Sequence, residues 1–113
     1  MQLANGDLIT LRYLAGLSGS APDPAALAFF GSLDQIRTVD PAVAHSIVHE
    51  LADQRANIKL IASENYSSLA VQFAQGNLFT DKYAEGSVGH RFYAGCDNVD
   101  AVESHATALA CDL

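Results

Sequence analysis

At 113 residues the chain has the commonest domain length, and with half its residues apolar and 17% charged its composition excludes wholesale disorder. Six basic residues against 13 acidic ones leave a net charge of −7. That balance argues against nonspecific binding to nucleic acid or to an anionic membrane, because both need Lys or Arg to displace counterions. No apolar run approaches membrane-spanning length, so no membrane partner is expected. Residues 1–16 carry one Arg, an early Asp7 and no basic region ahead of the apolar stretch, which is not the pattern of a secretory leader. The two cysteines, Cys96 and Cys111, make no disulfide framework, so a reducing, cytoplasmic setting is the plain expectation.

In chain order, residues 8–17 are apolar-rich and read as a short helix or a strand. The run Ser18-Gly19-Ser20-Ala21-Pro22 has the composition of a linker. Residues 1–22 are therefore expected to be a flexible arm, and residues 23–113 the domain proper. Asp23-Pro24 is a helix start, with an N-cap carboxylate followed by a ring preset for the first helical position. Gly31 reads as its stop, giving a short helix over 24–30. Ser32 with Gln35 reads as a capping box for a second short helix ending near Thr38.

Asp40-Pro41 repeats the start signal. Val43, Ala44, Ile47, Val48 and Leu51 recur at helical spacing, which predicts a helix over 41–56 with that face buried. The apolar run 58–62 reads as a short strand. Ser67 or Ser68 caps a further helix with Leu69, Val71, Phe73 and Ala74 inside, ended by Gly76. From 77 to 97 periodicity vanishes, and Gly86, Gly89 and Gly95 alternate with Tyr83, Phe92 and Tyr93. After Asn98 a last helix is expected, with Val99, Val102, Ala106, Leu109 and Leu113 on one face and Asp100 and Glu103 near its start. It has no stop signal, so the chain is expected to be cut within an element.

His45 and His49 are four apart on a helix, a metal-compatible spacing, but no third ligand accompanies them. The order HxxxHE is not a zinc-protease motif, so a solvated face is expected and no metal. Cys96 and Cys111 are not spaced as a redox or zinc pair, and burial is the expected role. The aperiodic stretch is richer. Ser63, Glu64, Tyr83, Glu85, Arg91 and Tyr93 concentrate hydroxyls, carboxylates and a guanidinium. Phenol and Ser hydroxyls bind phosphate or carboxylate oxygens, and a Glu among aromatic rings suits acid–base work. The alternative is an ordinary long loop with its tyrosines half in water.

These residues also carry a resemblance. LIASENYSSLAV (60–71), LFTDKYAEG (78–86) and GHRFYAGCDNVDAVE (89–103) closely resemble the N-terminal motifs of the serine hydroxymethyltransferase family, written there as LIASEN, LTNKYAEG and GKRYYGGCEYVD. The resemblance covers residues 40–113, and the first 22 residues carry none of it. It implies an α/β enzyme of the aspartate-aminotransferase-like type (fold type I), of which this piece is mainly α with one or two short strands and a long motif loop. It implies pyridoxal 5′-phosphate as cofactor, serine or glycine and tetrahydrofolate as ligands, and a homodimer or larger homo-oligomer.

By the same resemblance, Ser63 helps hold the amino-acid carboxylate, and Tyr93 helps across the dimer interface. Tyr83 reaches the cofactor phosphate of the neighbouring subunit. Glu85 contacts the serine hydroxyl and the folate as the catalytic acid–base group. Phe92 stands beside the folate where the family often has Tyr. Arg91 fixes the loop. Two departures are modest: the run 86–90 is GSVGH where the family usually has GYPGK, and Ala94 replaces a usual Gly. The Schiff-base lysine belongs to later segments of the family; Lys59 and Lys82 lie outside its motif. The segment alone is thus expected to lack turnover. The alternative is a non-enzymatic helical module that pairs with a full-length subunit.

Overall fold

The computed structural model describes residues 8–113. Contacts divide the chain into two compact units, Met1–Ala70 and Val71–Leu113. The described part is mostly helical, with one two-stranded sheet.

The first unit is built from α1 (Ile9–Ala15), α2 (Pro24–Val39) and α3 (Pro41–Ala56). α2 packs against both α1 and α3. Its buried positions, Leu33 and Asp34, face these neighbours with Ala44 of α3. Asp23 and Asp40 cap α2 and α3 as their sequence signals predict. The Asp23 carboxylate accepts from the Ala26 amide at 2.7 Å, and that of Asp40 accepts from the Ala42 amide at 2.9 Å. Each cap satisfies an otherwise orphaned amide of the first turn.

Three expectations change here. The two short helices over 24–38 are one continuous helix. Gly31 stays helical with no left-handed φ, and the Ser32 hydroxyl bonds back to the Phe29 carbonyl oxygen at 2.8 Å instead of capping. A lone Gly costs a helix about 1 kcal/mol, too little to end one that is packed on two sides. The run 58–62 is not a strand but irregular chain leading to a turn at 62–63. Ile58, Leu60 and Ile61 are exposed, and no partner strand lies alongside among the described residues. Lastly, the apolar face of α3 is only partly covered: Ala44 is buried, Ile47 half-buried, and Val43, Val48 and Leu51 exposed.

The expected arm falls partly on residues 1–7, which lie outside the described residues. Within its remainder, α1 settles the helix-or-strand choice and is held at its start. The Ile9 and Thr10 amides and the Thr10 hydroxyl all donate to the Asp34 carboxylate, at 2.9, 2.9 and 2.8 Å. Tyr13 packs on Phe30 with ring centroids 5.2 Å apart, and its hydroxyl accepts from the Asp23 amide at 2.8 Å.

α4 (Leu69–Gln75) leads into the second unit, where a 3-10 turn (Leu78–Asp81), β1 (Gly86–Ser87), β2 (His90–Arg91) and α5 (Asp97–Cys111) follow. In α4, Leu69 and Phe73 are half-buried at i and i+4, while Val71 points to solvent. The strands pair antiparallel, Gly86 with Arg91 and Ser87 with His90. The expected strand thus lies inside the motif loop and not ahead of it. α5 starts two residues earlier than the sequence suggests, with Asp97 and Asp100 in its first turn. Its expected inner face is also open: Val99 is half-buried, whereas Val102 and Leu109 are exposed.

Candidate functional site

Four of the predicted site residues come together in the second unit. Tyr83 and Tyr93 meet edge to face, with ring centroids 5.4 Å apart. The Tyr83 hydroxyl donates a long bond of 3.4 Å to Glu85 Oε2. Phe92 joins through the backbone, its amide donating to the Glu85 carbonyl oxygen at 3.1 Å. All four residues are exposed, and among the three rings Phe92 is the most so, at 77%. Two phenols, a carboxylate and an open apolar ring thus line one rim. Ser63 lies in the first unit, in a turn closed by the Glu64 amide on the Ile61 carbonyl oxygen at 3.0 Å, and it too is exposed.

Arg91 holds the rim in place. Its Nη1 donates to the carbonyl oxygens of Ala84 and Gly86, at 2.8 and 3.2 Å, the two peptides that flank Glu85. Its Nε and Nη2 donate to Asp100 Oδ1 at 2.7 Å and Glu103 Oε2 at 2.6 Å, both on α5. The side chain is only 6% exposed, so these are structural contacts, as the expected loop-fixing role requires. The Glu103 bond first, then that of Asp100, raise the Arg91 pKa above its usual value. The Gly89 amide, bonded to Asp100 Oδ2 at 3.0 Å, and then Arg91 hold the Asp100 carboxyl below its usual range. Lysine cannot reproduce this fork of donors. In Arg91→Lys the amides of Gly89 and Phe92 should exchange about tenfold faster or more, read by NMR hydrogen exchange.

Glycine is required at the turn. Gly89 has φ 73° at the second corner of the two-residue turn between Ser87 and His90. Cys96 is buried beneath the site, its thiol 3.6 Å from the Tyr93 carbonyl oxygen, while Cys111 is exposed, against the expectation of burial for both. His45 and His49 form an exposed pair, their rings tilted by 38° with centroids 4.0 Å apart. No group of three or more metal-ligating side chains exists among the described residues. An open apolar groove of about 490 Å³, lined by Phe79, Ala84, Val99 and Val102 among others, includes none of Tyr83, Glu85, Phe92 or Tyr93. Asp100 and Glu103 were legible only as acids near a helix start. Their partnership with Arg91 crosses from hairpin to helix, where no fixed spacing announces it.

Comparison with known proteins fixes the lineage. The profile of the family described as serine hydroxymethyltransferase matches residues 36–113. The chain belongs to the serine hydroxymethyltransferase family. It is 57% identical over 102 residues to a serine hydroxymethyltransferase of Treponema pallidum, covering 88% of this chain and 18% of that protein. To that of Mycolicibacterium smegmatis it is 56% identical over 91 residues, 80% of this chain and 19% of the relative. To that of Chlamydia trachomatis it is 50% identical over 103 residues, 90% of this chain and 21% of the relative. The chain thus spans about a fifth of the length of these curated relatives, and the match falls in their N-terminal part. Coverage of 90% also carries the similarity into the first 22 residues, where the motifs alone show none.

Proposed function

We propose that this segment forms the rim of the active site of a pyridoxal-phosphate-dependent serine hydroxymethyltransferase of fold type I. The whole enzyme transfers the hydroxymethyl carbon of serine to tetrahydrofolate and leaves glycine, a step of one-carbon metabolism, in a cytoplasmic homodimer or larger homo-oligomer. The observation that carries this reading is the clustering of Tyr83, Glu85, Phe92 and Tyr93 on one hairpin clamped by Arg91. The family identities favour it over a non-enzymatic interaction module.

The donor chemistry fits one edge of the cofactor. The exposed Tyr83 phenol is a donor suited to a phosphate oxygen, and its bond to Glu85 is long. Lys59 pairs with Glu50 and Glu64 and, like Lys82, lies outside the family's lysine motif. Pyridoxal phosphate, when bound, would supply the electron sink needed for cleavage of the serine Cα–Cβ bond. This chain's own residues orient and handle protons. Ser63 helps hold the substrate carboxylate of its own subunit, and Tyr93 helps hold that of the neighbouring subunit, across the dimer interface. Glu85 takes the proton of the serine hydroxyl or polarises it, and lies against the folate. Phe92 supplies the folate with a ring face and no hydroxyl.

The test is a hybrid in which residues 8–113 replace the matching stretch of the Treponema pallidum relative. It should form glycine from serine and tetrahydrofolate, while the 113-residue chain alone should not. In the hybrid, Glu85→Gln should lower kcat about 10²-fold or more, the usual scale for a lost acid–base group. A folded, cofactor-loaded hybrid indifferent to that change would refute the role of Glu85.

A further inference from the structure

The loop that carries Ser63 is tied to α3 on both sides of the serine. Upstream, Lys59 Nζ stands 3.8 Å from Glu50 Oε1 on α3 and 3.4 Å from Glu64 Oε2, next to Ser63. Downstream, the Tyr66 hydroxyl donates to the Gln54 carbonyl oxygen at 3.2 Å. Gln54 Nε2 donates to Glu50 Oε1 at 2.7 Å, and the Lys59 ammonium lies 5.9 Å from the centroid of the Tyr66 ring. Glu50 and Gln54 are one helical turn apart, so both ends of the loop meet one patch of α3.

We propose that Lys59 is a positioning residue for Ser63: together with Tyr66 it closes the Ser63 loop against the last turns of α3. This rests on the reading that Ser63 holds the substrate carboxylate. Lys59 acts through its neighbours, pairing with Glu64 and placing its charge over the face of Tyr66. A single exposed ion pair holds little. Here four contacts tie Lys59 and Tyr66 to Glu50, Gln54, Glu64 and each other, and together they restrict the backbone between residues 59 and 66. That matters because a hydroxyl that orients a ligand must be held to within about 0.5 Å. Residues 60–68 are all exposed, with little packing to do it.

Lys59→Met keeps the length of the stem and removes the charge; Lys59→Arg restores the charge. In the 113-residue chain, the amides of residues 62–65 should exchange about fivefold faster in Lys59→Met, with those of α2 unchanged, and Lys59→Arg should return them to within about twofold. In the hybrid enzyme, Lys59→Met should raise the serine KM about threefold to tenfold with kcat within about twofold, and Lys59→Arg should reverse it. Unchanged exchange in Lys59→Met, or no rescue by Lys59→Arg, overturns the role of Lys59. An unchanged serine KM in Ser63→Ala overturns instead the role given to Ser63, so the two failures are distinct.

Discussion

Gly86→Ala is expected to unpair the hairpin and cost about 3 kcal/mol or more. Gly86 has φ 117°, a conformation L side chains rarely adopt. A Cβ there would also run into the backbone carbonyl oxygen of His90 on the paired strand. That oxygen belongs to a strand that cannot retreat without breaking the Gly86–Arg91 and Ser87–His90 pairs. Arg91 would then lose the Gly86 carbonyl it grips, and Glu85 the clamp on one side. Loss of cross-strand NMR contacts between these pairs would report the change. A hairpin that keeps them, with thermal unfolding unmoved, would show that the backbone yields more easily than its geometry implies.

The second large effect belongs to Asp34. Asp34→Ala should destabilise the first unit by about 2 kcal/mol, since it orphans the Ile9 and Thr10 amides and the Thr10 hydroxyl together. Arg37, 3.2 Å away, loses its carboxylate as well. The effect should depend on pH. Burial works against ionisation of Asp34, but the bonds from Thr10 and Ile9, with the Arg37 charge, outweigh it and hold the carboxyl below its usual range. A carboxyl depressed on folding stabilises fully above its unfolded pKa of about 3.9. That contribution disappears as pH falls through the lower folded value. Urea unfolding followed by far-UV dichroism should show the two proteins farthest apart near neutrality and converging in acid. A gap that persists undiminished to the most acid conditions would contradict it.

Much of this was legible because it is local. Asp23-Pro24 and Asp40-Pro41 announce their helices by capping chemistry that acts within three residues, and both caps form. The motif stretch was legible by its lack of period, and its tyrosines and Glu85 do assemble there. Gly31 misled because its helix penalty is smaller than the packing of α2 on α1 and α3. The run 58–62 misled because a short apolar segment looks alike whether or not a neighbouring strand exists. Asp34 went unnoticed because its partners lie 24 and 25 residues upstream, beyond any local pattern. The Lys59 cluster escaped for the same kind of reason, joining a helix to the loop that follows it. The open faces of α3 and α5 show a further limit. Periodicity tells which side of a helix is apolar, but not what covers it.

The aromatic placement has a practical consequence. The chain has no tryptophan and four tyrosines. Tyr13 leans on Phe30, Tyr66 lies beneath an ammonium group, and the remaining two face each other across the rim. Rings held in a fixed mutual orientation give rise to near-ultraviolet dichroism, which vanishes when packing loosens. The protein therefore carries a built-in optical reporter. A ligand that engages Tyr83 turns one ring of a coupled pair, and the tyrosine band registers it with no label and no indole signal to mask it.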